Sequence, residues 1–216
     1  MTVYCLHPSL NLKKKDYQYC SVQMIVPDET PGIRLKQEMW DKFRGKSLKE
    51  IWPAKVKYQY LSKRTARGDF PYDFQSSSYL ILSLRAADAL RDLLEPEGEF
   101  YPIECDENPQ LTAWWPTKLC DALDKIRSEI IWFDEETKQK AMCIDRYWFL
   151  EEKVGNTPIF QVKDDYNYFV TDTFLRRVRE RKLKGFGFRK LWSPEEGSTH
   201  SKYINGPWPE GEDINF

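Results

Sequence analysis

The sequence predicts an α+β domain built on an aromatic-rich, mainly antiparallel sheet with a few packed helices. Three observations lead there. Aromatic residues make up 15% of the 216-residue chain although the mean hydropathy is only -0.68, so the apolar content is concentrated in large rings, which suit half-buried β surfaces better than a helical bundle. Aromatic and β-branched runs recur between polar or glycine-containing segments, as strands do. Two stretches, beginning at Tyr79 and Tyr168, follow the same pattern of short strand, capping residue, helix, glycine turn and strand.

Residues 1–47 have no sustained periodicity and read as an N-terminal extension packed on the domain, with the turn cluster PDETPG leading into a helix at 33–44. The domain itself is expected over residues 48–192. Near its start, Val56, Tyr58 and Tyr60 alternate with Lys55, Lys57 and Gln59, the pattern of a strand with one wet face. In YLILSLRAADALRDLLEPEGEFYPIE, Ser83 is placed to cap a helix that presents Leu84, Ala87, Leu90 and Leu94 on one face, before Gly98 leads into the next strand. The runs LTAWWP, SEIIWF, IDRYWFLE and TPIFQVK read as strands, and KLCDALDKI as a short helix. In YFVTDTFLRRVRERKLKGFGFRKLW, Thr171 or Asp172 caps a helix bearing Leu175, Val178 and Leu183. Gly185 then ends it with a positive φ, and Phe186 and Phe188 point to one side of the closing strand. Residues 193–216 read as an irregular acidic tail packed through Tyr203, Trp208 and Phe216.

The length suits one domain with a substantial core, so disulfide staples are not required. Five cysteines, widely spaced and without a C-x-x-C pair, read as reduced thiols of a cytoplasmic protein. The N-terminal lysines follow the apolar residues instead of preceding them, so no signal peptide is expected. No apolar run approaches the ~18 residues of a membrane span.

Chemistry finds little support. The two histidines, His7 and His200, belong to no metal-ligand spacing, and no phosphate-binding glycine loop or nucleophile elbow is present. Cys5 and His7 form the one local thiol–imidazole pairing, two residues apart at a terminus. No catalytic residue, metal or cofactor is therefore assigned, although convergent carboxylates are a property of the fold that sequence does not exclude. Lys184-Gly185-Phe186-Gly187-Phe188 reproduces the first half of an RNA-binding signature, but Arg189 and Leu191 break its continuation and no further helix and strand follow. With the basic run over residues 174–184, it supports a second reading as a nucleic-acid-associated protein.

Charge is more informative. The chain balances 33 basic against 34 acidic residues, so no overall field draws it to nucleic acid or membrane. Locally it is lopsided: residues 1–67 carry 14 bases against 6 acids, and residues 92–136 carry 13 acids against 3 bases. An acidic face that docks a basic protein partner is the expectation, with Glu95, Glu97, Asp106 and Glu107 supplying charge and Trp114 and Trp115 supplying exposed rings.

The order of the pieces carries a resemblance. The serine-capped helix from residue 79, WWPTKLCDALD with its Asp121 to Asp124 step, IIWFDEE with Asp134 after an aromatic strand, and the closing GFGFRKLW together resemble the imm-eleven family of bacterial immunity proteins over about residues 48–192. The resemblance implies a protein that travels with a polymorphic secreted toxin and neutralises it by binding, with no catalytic residues to carry over. The N-terminal stretch and the tail depart from the family pattern, which the resemblance would explain as fitting one particular toxin.

Overall fold

Both strand–helix–strand units form, and they share one topology. The computed structural model describes residues 1–8, 22–25, 42–50, 52, 57–60, 73–76, 79–105, 110–138, 141–199 and 213–216. In the first unit, β5 (Leu80–Ser83), α1 (Leu84–Leu94) and β6 (Gly98–Pro102) are followed by β8 (Leu111–Pro116), which inserts between β5 and β6 and runs antiparallel to both. With β4 (Phe74–Ser76) they form a sheet in the order β4-β5-β8-β6. In the second unit, β12 (Tyr168–Thr171), α3 (Asp172–Glu180) and β13 (Phe186–Ser193) likewise hold a third strand between them, β1 (Val3–Pro8), antiparallel to both. The first residues of the expected N-terminal extension thus supply an inner strand of the larger sheet. That sheet is extended by β11 (Ile159–Phe160) beside β12, and by β14 (Gly197–Ser198) and β15 (Asp213–Asn215) beside β13.

The expected mainly antiparallel α+β architecture is what the structure shows. The one parallel pairing between described strands joins β3 (Lys57–Tyr60) to β7 (Glu104–Cys105), with β2 (Val22–Ile25) antiparallel on the other side of β3.

The helices lie between the two sheets and share a core. Ser83 caps α1 as expected, its hydroxyl accepting from the Ala86 N–H at 3.1 Å. The buried face of α1 is Ala86, Ala87, Leu90 and Leu94. Leu84, expected on that face, is 43% exposed, because at 100° per residue it falls outside the arc spanned by the other four. On α3 the buried residues are Phe174, Leu175 and Val178, and beyond the helix Leu183 is buried too. These meet Leu80, Leu82, Trp114, Phe186 and Phe188 in one cluster. Asp73 ties the units together: its carboxylate accepts from Ser83 Oγ, the Arg85 guanidinium and the Lys184 N–H.

Each sheet is also covered on its outer face. Trp115 and Tyr101 lie under residues 42–50, with the Trp115 indole N–H donating to the Lys46 carbonyl at 3.0 Å and the Leu48 N–H donating to the Tyr101 hydroxyl at 2.7 Å. The larger sheet buries Val3, Phe169, Leu191 and Trp192 against a second cluster from residues 122–162, including Leu123, Ile144, Tyr147 and Phe149.

The helix expected over KLCDALDKI does not form. Its backbone groups pair with neighbouring segments instead: Cys120 and Leu123 make isolated bridges to Val162 and Phe149, and the Ala122 carbonyl accepts from the Leu150 N–H. Asp124 then accepts from the Ile126 and Arg127 N–H groups, which makes a turn there. IDRYWFLE is a strand only as far as Arg146, the end of β10 (Ala141–Arg146), and is followed by a one-turn helix α2 (Glu151–Val154). The helix at 33–44 lies almost entirely outside the described residues, as do Tyr203 and Trp208. Phe216 packs edge-on against Phe188 at 5.9 Å between ring centroids.

Candidate partner-binding surfaces

The acidic corner starts where α1 ends. Glu95 is the C-terminal cap of the helix, exposed, and its carboxylate accepts from Arg91 one turn earlier at 3.1 Å. Glu97 follows in the turn, half-buried, and among the described residues its carboxylate accepts no hydrogen bond; its backbone is held by the N–H of Glu97 donating to the Leu94 carbonyl and the Thr117 N–H donating to the Glu97 carbonyl. Asp106 and Glu107 lie outside the described residues.

Trp114 and Trp115 are not exposed, which corrects the expectation of surface rings. They are 0% and 2% accessible, because β8 is an inner strand with cover on both faces. Their part in this corner is to support it. The Trp114 indole N–H donates to the Leu94 carbonyl at 3.1 Å, a second donor at the helix end beside the Glu97 N–H. Gly98 lets the turn sit directly on that ring: a Cβ there would be 2.6 Å from Cζ2 of Trp114 and closer still to the Trp115 carbonyl oxygen.

Next along the chain, Glu99 is withdrawn from any outside partner. Lys49 reaches it at 2.7 Å, and the Ser47 and Tyr101 hydroxyls donate to its other oxygen at 2.7 and 2.5 Å. Burial pushes its pKa up, but these donors outweigh it and bring the carboxyl down to about 2.

The acid-rich stretch continues into a second region, in which sequence reasoning named no contact residue. β9 (Glu129–Trp132) and β10 form a separate two-stranded sheet over the second core cluster. The turn before β9 is built by Asp124 and the turn after β9, leading towards β10, by Asp134, whose carboxylate accepts from the Glu136 and Thr137 N–H groups and the Thr137 hydroxyl. Around this hairpin, Ile126, Phe133 and Met142 are 97%, 65% and 55% exposed, and Ile131 is exposed as well. The alternation in SEIIWF implied that every second side chain faces outward, which was the available signal, although not which set.

The basic helix is partly committed. Arg177 forms a bidentate pair with Asp92 at 2.6 and 2.9 Å and donates to the Ala89 carbonyl, fastening α3 to α1. Arg179 lies over the Phe216 ring at 5.6 Å. Arg176, Arg181 and Lys182 stay exposed. Phe186 and Phe188 are both fully buried, so neither ring of KGFGF is available to stack on a base, and the nucleic-acid reading loses its aromatic half. Gly185 has the expected positive φ, 89°, but it does not end the helix: α3 stops at Glu180, and Lys182, at φ 50°, closes it, its N–H donating to the Arg179 carbonyl and the Leu183 N–H to the Val178 carbonyl, so that Gly185 instead makes the turn into β13.

Among the described residues no three His, Cys, Asp or Glu side chains are arranged to hold a metal. Burial and the nearby Glu97 and Asp121 raise the Cys120 pKa, and burial with Asp145 and Asp165 raises that of Cys143, so both thiols stay protonated near neutral pH. No helix among the described residues is long and apolar enough to cross a membrane.

A family model for an immunity protein family, Imm11, matches residues 10–192. The chain belongs to that family. The match begins well before residue 48, so most of the stretch that looked peculiar to this chain is within the family's span. No curated protein matches the chain.

Proposed function

We propose that this protein neutralises a cognate secreted bacterial toxin by binding it directly and covering its active site, in the cytoplasm of the producing or a sibling cell and without turnover. Membership of the immunity family over residues 10–192 carries this reading. The acidic corner gives it a physical basis. Glu95 and Glu97 stand on a turn fixed by Trp114 and Gly98, so they meet a basic surface with little conformational entropy left to lose. Asp106 and Glu107 extend the same acid-rich stretch. Where the toxin is a nuclease with a basic cleft, these carboxylates stand in for phosphates.

Co-expression tests the reading. Cells induced for the toxin domain encoded beside this chain are expected to survive with the wild-type protein and to die without it. Equal death in both cultures would remove the proposal.

A further inference from the structure

Four of the six exposed large apolar side chains among the described residues, Ile126, Ile131, Phe133 and Met142, fall between residues 126 and 142. We infer that the outer face of the β9–β10 hairpin, led by Phe133, is the apolar anchor through which this chain docks its protein partner, on a partner surface where an apolar pocket is ringed by Lys and Arg. The inference rests on the immunity reading and adds to it the docking element and the chemistry of the surface it fits.

The hairpin cannot turn these side chains inward. Its inner face is already committed, with Ile144 buried in the second core cluster and Ile130 and Ala141 packed against that cluster. Side chains alternate across a strand, so Glu129 and Ile131 face away from this cover, and Phe133 continues the same row. Ile131 stands opposite Cys143 in the ladder, beside Met142.

The charge around the apolar row is negative. Glu135 and Glu136 are exposed, and among the described residues their carboxylates accept no hydrogen bond. The nearest cations are largely neutralised: Lys125 pairs with Asp164 at 2.8 Å and Arg127 with Asp124 at 2.6 Å. Over residues 129–140 the sequence sets four acids, Glu129, Asp134, Glu135 and Glu136, against two cations, Lys138 and Lys140, both at the far end of the stretch. An apolar centre with a charged rim is how specific interfaces are built, and the sign of this rim selects a basic partner. A second copy of this chain would set acids against acids, so self-association across this face is disfavoured.

The test uses the full chain and, as probe, a catalytically inactive form of the toxin domain against which the wild-type protein protects cells. Phe133→Ser is expected to weaken binding by at least about 30-fold, as loss of a central apolar anchor does. Glu135→Lys with Glu136→Lys is expected to slow association and reduce its salt dependence. Arg176→Glu, on the exposed face of α3, serves as a control expected to bind as wild type. Unchanged urea unfolding of each variant shows that folding is intact. Wild-type binding with Phe133→Ser affinity within about two-fold of it overturns this inference and leaves the immunity reading standing. Absence of wild-type binding to any toxin removes both. A free protein that sediments as a dimer, and that Phe133→Ser makes monomeric, shows a self-association face and also overturns the inference.

Discussion

The segments LTAWWP and SEIIWFDEE have similar aromatic content and both lie in the acid-rich part of the chain, yet their rings end in opposite places. In β8 both tryptophans are buried, whereas Phe133, just past β9, is 65% exposed. The cause is cover. β8 lies between β5 and β6, with helices on one face and residues 42–50 on the other, so alternation buries both sets of side chains. Among the described residues β9 has a single partner strand and a core under one face alone, so alternation exposes every second residue. Local sequence sets the alternation; the number of covered faces, a tertiary property, decides what is wet.

Substitution should break that symmetry of composition sharply. Trp114→Ala removes a fully buried ring and one of the two donors to the Leu94 carbonyl, and is expected to cost about 3–5 kcal/mol in urea unfolding. Phe133→Ala should stay within about 0.5 kcal/mol of wild type. Comparable losses at the two positions would refute the contrast. Gly98→Ala comes next, at about 1–3 kcal/mol, since the new Cβ has no room above Trp114. Ser83→Ala is expected to cost about 1 kcal/mol by removing the α1 cap, with a lowered thermal midpoint as the readout.

The smallest effect concerns pH. Glu99 is held at about 2 against its ordinary 4.5, so the folded state favours its ionised form. That contribution is complete above about 4.5 and is lost as pH falls through the folded value near 2. Lys49, the main donor, is 73% exposed in its side chain, so solvent screens the pair and the gain is modest. Lys49→Ala should flatten the decline of thermal midpoint over this window; an unaltered decline would assign the acid sensitivity to other carboxylates such as Asp73.

What the sequence revealed follows the same division between local and tertiary causes. The cap at Ser83, the positive φ of Gly185 and the two strand–helix–strand units were legible because each depends on neighbours a few residues away. The placement of β1 between β12 and β13 was not, since it pairs residues about 170 positions apart, as Val3 does with Thr171. KLCDALDKI has helical composition, but its backbone finds partners at Val162, Phe149 and Leu150, which no local signal announces. At the proposed contact surface, sequence located Glu95 and Glu97 through charge density. It misjudged Trp114 and Trp115 because aromatic content does not report cover.

The proposed mode of action, stoichiometric covering of a partner without turnover, is tested most directly by titrating this protein into its purified toxin and following residual toxin activity to equilibrium. Activity should fall in proportion to the immunity protein added, reach its floor at a fixed molar ratio, and return when the complex is dissociated. Progressive inactivation of excess toxin by a small fraction of immunity protein, persisting after separation, would contradict it.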